Sequence, residues 1–228
     1  MLEIKHISFS YNAKEVLKDV TLSVKAGEVH GIVGKNGAGK TTFFHVVVKL
    51  LNFDKGSITY NGEDYLSTDI AFLETENFFY PYIKGKEYIQ LLASDAHFPI
   101  QDWNYFFQLP LDDMVDNYST GMKKKLALIG VIAMNRPVLI MDEPYNGLDL
   151  TTCELVYRII RRLKEQGRLV LISSHIVSTL TAVCDRISIL KDGAIHSTYK
   201  KSNFDRLTIE IADEFDQDIN NKLDTLLN

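Results

Sequence analysis

GIVGKNGAGKTTFF, residues 31 to 44, is the stretch on which the reading of this chain turns. It fits the phosphate-loop pattern G-x-x-x-x-G-K-[ST], with Gly34, Gly39, Lys40 and Thr41 at the required places. The run Glu28 to Val33 before it reads as a β-strand, and the run Phe43 to Leu51 after it reads as a helix. Between a strand and a helix, the glycines let successive backbone N–H groups converge on phosphate oxygens at the positive end of the helix. Gly34, Lys35, Asn36, Gly37, Ala38, Gly39, Lys40, Thr41 and Thr42 are therefore the candidate phosphate-binding residues. Lys40 has the length to reach β- and γ-phosphates, and the Thr41 hydroxyl suits Mg²⁺. The ligand these residues imply is a nucleoside triphosphate.

Composition narrows the alternatives. The chain has 228 residues, 46% of them hydrophobic, enough to bury a sizeable core as one domain with two lobes. Net charge is −5, so nucleic acid is not an expected partner. Lys123-Lys124-Lys125 is the nearest thing to a basic block, and at a helix start it reads as a solvated face. Cys153 and Cys184 lack metal spacing and read as small apolar fillers in a reducing compartment. No signal peptide is evident, and the longest apolar run, Leu126 to Met134, falls well short of the ~20 residues that cross a bilayer.

Short β-like runs open the chain (Leu2 to Phe9, Val20 to Lys25), and Ser57 to Tyr60 lies between turn signals. Ile70 to Leu73 is a further strand. Pro81, Pro99 and Pro110 punctuate an irregular helical stretch from Tyr80 to about Asn117. Beyond it, helices (Thr120 to Met134, Thr152 to Gln166, Ile176 to Val183) alternate with strands (Val138 to Met141, Arg168 to Ile172, Arg186 to Leu190). That alternation predicts an α/β fold with parallel strands covered on both faces. The stretch from Asp213 to Asn228 is acidic and helical in pattern. Val138 to Met141, a fully apolar strand, ends in Asp142-Glu143-Pro144. A carboxylate at such a strand tip beside a phosphate loop suits a Mg²⁺ site, and Glu143 is placed to take a proton from an attacking water.

Three further pieces carry a resemblance. Tyr118-Ser119-Thr120-Gly121-Met122 resembles the signature motif (commonly L-S-G-G-Q) of ABC ATPases. Asn146-Gly147-Leu148-Asp149 resembles that family's D-loop, and Ser173-Ser174-His175 its switch histidine. The resemblance covers roughly residues 1 to 200. It implies a P-loop NTPase core, mostly parallel sheet with flanking helices, plus an antiparallel β subdomain and a short helical subdomain. The expected organisation is one nucleotide-binding domain over 1–228, with a helical subdomain over about 80–135 and a C-terminal extension over about 201–228. By the same resemblance Tyr11 stacks on adenine, with packing on the core as the alternative. Asp142 and Thr41 serve Mg²⁺, while Glu143 and His175 are catalytic. Ser119, Gly121 and Asp149 face the ATP of a second copy, or of a paralogous subunit, in a head-to-tail dimer.

The implied function is an ATP-hydrolysing subunit of an ABC transporter, cytoplasmic and held at the inner membrane face by a separate transmembrane permease subunit. Export is the expected direction, on family analogy. The alternative is a soluble ABC-type ATPase not involved in transport. Two departures stand out. Thr75 occupies the place of the family's Mg²⁺-ligating glutamine, and its short side chain puts direct metal contact in doubt. A water bridge, Glu74 or Glu76 are the substitutes. The stretch from Thr75 to Ser119 is also short for the family's helical lobe. Within it, Trp103 and Tyr105-Phe106-Phe107 read as a small local core, with a docking patch as the alternative.

Overall fold

The computed structural model describes residues 1–212, so the helical reading of Asp213 to Asn228 lies outside the described residues. Two sheets form. A three-stranded antiparallel sheet has the order β2-β1-β4, from β1 (Leu2–Tyr11), β2 (Lys14–Val24) and β4 (Lys55–Tyr60). A six-stranded sheet has the order β5-β6-β7-β3-β8-β9, from β3 (Val29–Val33), β5 (Ile70–Leu73), β6 (Val138–Met141), β7 (Leu169–Ser174), β8 (Arg186–Lys191) and β9 (Ala194–Lys200). Its first five strands run parallel and β9 closes the edge antiparallel. This is the mixed α/β architecture that the alternating pattern predicts. Strand β9 follows the Asp192-Gly193 turn, where both residues have positive φ. Its alternation of half-buried and exposed residues is that of a one-sided edge strand, a signal the sequence reading passed over.

Because successive strand residues point to opposite faces, the central sheet feeds two cores. Ile32, Val138, Ile140 and Leu171 pack toward α1 (Lys40–Val47) and the antiparallel sheet. Leu139, Met141, Val170 and Ile172 pack toward α4 (Thr120–Ala133), α5 (Leu150–Glu165) and α6 (Val177–Thr181). Both faces are therefore dry, which is why β6 is apolar throughout and the polar residues of β3 and β7 are few. Phe43 and Phe44, fully buried on α1, anchor the helix behind the phosphate loop. Truncating either to alanine costs about 3–5 kcal/mol by the usual cavity penalty. Helix α1 ends earlier than its apolar run, because Lys49 takes φ +62° and the chain leaves the helix.

Between β5 and α4 lie two short helices, α2 (Gly85–Leu92) and α3 (Ile100–Phe107). The aromatic run in α3 divides by face. Trp103 stacks on Phe98 with rings 6.3 Å apart and Phe107 is buried, whereas Tyr105 and Phe106 are exposed.

Candidate active site

The parallel strands β3, β6 and β7 end side by side, so the loops that follow them converge at one edge of the sheet. The loop after β3 carries the phosphate pattern. Gly37 and Gly39 have φ +83° and +104°, values that a side chain would strain. At Gly34 a Cβ would stand 2.4 Å from the Leu190 carbonyl oxygen, so that position admits no other residue without movement of the loop. Lys40 is buried at the helix start, its ammonium donating to the carbonyls of Gly34 at 2.7 Å and Lys35 at 3.3 Å. It also lies 3.6 Å from a Glu143 carboxylate oxygen.

Asp142 is fully buried at the tip of β6 and gathers hydroxyl groups from three other elements. Thr41 donates to its Oδ2 at 2.6 Å and Thr75 donates to the same oxygen at 2.8 Å. On the other side, the Ser173 hydroxyl donates to Oδ1 and accepts the Glu143 N–H at 2.9 Å. Ser173 was read only as the neighbour of a histidine. Its place at the end of the buried strand β7, opposite a buried carboxylate, is what a sequence scan lacked. Glu143 has φ +47°, strained for a non-glycine residue, and its carboxylate meets His175 Nδ1 at 3.0 Å.

Lys40, Thr41, Thr42, Thr75, Glu143 and His175 share one cleft of about 330 Å³ with Asn36, Gly37 and Gly39. Lys35, Ala38 and Gly34 face an adjoining cavity that also reaches His175. Neither Glu74 nor Glu76 lines the cleft; Thr75 does. The oxygens of Thr41, Thr75 and Asp142 form a hard, small donor set. It fits a Mg²⁺ ion, which keeps several waters and takes one or two protein ligands beside phosphate.

Tyr11, at the end of β1, is 46% exposed and packs edge-to-face on Phe9 at 4.7 Å. Val16, rather than Tyr11, contributes to the cleft wall. Ser119 and Gly121 are absent from that wall too. Ser119 caps α4 by accepting the Met122 N–H at 3.3 Å, and a Cβ on Gly121 would meet the Gly147 carbonyl at 3.0 Å. Asp149 caps α5, accepting the Thr152 N–H at 2.8 Å, and pairs with Lys125 at 3.1 Å. These bonds, the Thr152 N–H first, hold its carboxyl well below the usual range.

The solvated reading of Lys123-Lys124-Lys125 fails at its middle residue. Lys124 is 5% exposed and donates to the carbonyls of Glu74 at 3.0 Å and Thr75 at 3.2 Å. Burial pushes its ammonium down to about 8, against the opposing pull of the Asp142 and Glu143 charges.

The profile described as "ABC transporter" matches residues 17–146, more than half of the 228. The chain belongs to the ABC transporter family. As an ABC cassette it is an ATP-binding protein of the ATPase class. It is 27% identical over 232 residues to the ABC transporter ATP-binding protein YtrB of Bacillus subtilis (strain 168), spanning 96% of this chain and 79% of that one. A solved ATP-binding subunit of an ABC transporter superposes with a TM-score of 0.82 at 27% identity, over 91% of this cassette and 93% of that chain. The cassette MJ0796, dimeric and post-hydrolysis with ADP and Pi bound, shares the fold with a TM-score of 0.79 at 22% identity, over 88% and 99%. Among the described residues of this cassette, no helix is long and apolar enough to cross a membrane.

Proposed function

We propose that the cassette hydrolyses Mg²⁺·ATP with Glu143 as general base, paired head to tail with a second copy or a paralogous subunit, to drive a separate membrane-spanning partner. The single observation that carries this reading is the Glu143 carboxylate. One oxygen stands 3.0 Å from His175 Nδ1 and the other 3.6 Å from the Lys40 ammonium. A base held between the phosphate-loop lysine and a histidine lies where an in-line water would attack a γ-phosphate. His175 orients that carboxylate, and Thr41, Thr75 and Asp142 would hold a Mg²⁺ ion, which would supply positive charge against the negative charge that develops on the phosphates. Tyr11 takes the adenine side.

Ser119 and Gly121 do not line their own cleft, which supports service to the ATP of a partner subunit, with Asp149 across the same interface. A dimer of this kind depends on the γ-phosphate and loosens once it is cleaved. For the membrane partner the supporting surface is the exposed aromatic group Phe78, Tyr80 and Tyr82, which follows the Thr75 loop directly. That partner would hold the cassette on the cytoplasmic membrane face. Export is the direction we favour, on the likeness of Ser119-Thr120-Gly121-Met122 to exporter-type signatures.

Glu143→Gln tests the core of the proposal. The variant keeps shape and loses basicity, so turnover should fall about 10²- to 10⁴-fold while ATP still binds. Size-exclusion chromatography at tens of micromolar protein should then show a dimer only with Mg²⁺·ATP, abolished by Ser119→Arg. Turnover at the parent rate, or a monomer throughout, refutes it.

A further inference from the structure

Lys124 poses a question that the hydrolytic machinery leaves open. It sits in the first turns of α4, the helix that Ser119 caps, with its side chain almost wholly buried. Its ammonium has two carbonyl acceptors, on Glu74 and Thr75, and no carboxylate pairs with it among the described residues. Burying a cation with no carboxylate in contact is costly even though the Asp142 and Glu143 charges attract it, and an apolar side chain of the same volume would fill the site without that cost. Stability alone therefore gives no reason for a lysine here. The acceptors do: both carbonyls belong to the loop leaving β5, which carries the Thr75 hydroxyl to Asp142 Oδ2, where the Thr41 hydroxyl also arrives.

A continuous set of contacts results. It runs from α4 through the Lys124 ammonium into the Thr75 backbone, then through the Thr75 hydroxyl to the Asp142 carboxylate. Threonine is short, so its hydroxyl reaches Asp142 only if the backbone of residue 75 is held close. The Glu74 carbonyl also accepts from Asn77 Nδ2 at 3.2 Å, so Lys124 shares the restraint on that backbone with one of the loop's own side chains.

We propose that Lys124 is a positioning residue for the metal side of the site: it holds the Thr75 loop against Asp142 and so ties the oxygen set there to the placement of the Ser119 helix. The inference rests on the Mg²⁺·ATP reading above. Lys124 touches neither nucleotide nor metal; it acts through Thr75.

The test is calorimetry of ATP binding to the full chain with and without Mg²⁺, using the ratio of the two affinities as the readout. In Lys124→Met, affinity without Mg²⁺ should stay within about twofold of the parent, because Lys40 and the phosphate loop are untouched. The Mg²⁺-dependent gain should shrink about tenfold, the usual effect of removing a group that orients a metal ligand. Lys124→Arg, which keeps reach and N–H donors, should retain most of the gain. In a Thr75→Val background, which lacks the hydroxyl, Lys124→Met should cause no further loss. If methionine is not accommodated, Lys124→Gln carries the same comparison against Thr75→Val. A parent-like gain in the Lys124 variants, additive losses with Thr75→Val, or an equal loss of affinity without Mg²⁺ would each overturn the proposal. A parent protein with no Mg²⁺-dependent gain at all refutes the magnesium reading itself, and this inference with it.

Discussion

The Thr41 hydroxyl and the Asp142 carboxylate meet at 2.6 Å although 101 residues separate them in the chain. Each sits where its own local structure requires it, Thr41 in the first turn of α1 and Asp142 at the tip of β6. They come together because β7 lies between β3 and β6, in parallel register with both. The proposed nucleotide site is thus assembled by strand order. Side-chain bonds across it then hold the loops that the strands deliver.

Lys40→Ala should weaken ATP binding by well over tenfold, about 1.4 kcal/mol or more, because it removes the one phosphate-loop cation buried in the cleft. Calorimetry with Mg²⁺·ATP checks it. Unchanged affinity would mean that the loop binds another ligand.

Ser173→Ala removes the hydroxyl that Asp142 and the Glu143 N–H share. Leaving that buried N–H unsatisfied costs about 1–3 kcal/mol of stability. Because the same bond fixes Glu143, turnover should drop more than ATP affinity does. Steady-state kinetics beside thermal melting separates the two effects, and equal losses in both would show that Ser173 supports only the fold.

Asp149→Ala should destabilise the monomer through loss of the α5 cap, measured by denaturant unfolding. Asp149→Asn keeps the cap and should restore most of that stability. A weaker Mg²⁺·ATP dimer in the asparagine variant would separate an interface role from the cap; an unaltered dimer would leave Asp149 a cap alone.

Stability should also depend on pH through His30, fully buried in β3 between Glu28 at 3.2 Å and Ser188 at 2.8 Å. Burial lowers its pKa below the ordinary 6.5. The unfolded chain then binds the proton more readily than the folded one, so protonation favours unfolding. Stability is full above about pH 6.5 and falls as pH drops below it, by at most about 1.4 kcal/mol per pH unit. His30→Gln should flatten the slope between pH 7 and 5 in urea unfolding. Glu28, lowered below 4.5, acts only in more acid solution.

The strands and the phosphate loop were legible because their signals are local. Val138 to Met141 is apolar without a break, and Gly34 to Thr41 is a fixed spacing that only one backbone shape satisfies. The buried state of Lys124 is illegible in the sequence for the same reason. A lysine at a helix start is ordinarily solvated, and only the packing of α4 against β5 turns this one inward onto two carbonyls. Ser173 escaped notice because its partner lies on the neighbouring strand. Side-chain length is the ground for doubting that Thr75 touches a metal, and what the structure adds is that its hydroxyl reaches Asp142 Oδ2.

By itself, the sequence determined the α/β class, the phosphate loop, the strand-tip carboxylates and membership of the ABC transporter family, since each depends on the identity and order of neighbouring residues. Tertiary structure alone decided which hydroxyls reach Asp142, that Glu143 faces both His175 and Lys40, and that Lys124 is buried. Those contacts join segments far apart in the chain. Their geometry is set by strand order and by the packing of helices on a twisted sheet, and short hydroxyl and ammonium bonds fail with an error of a single ångström.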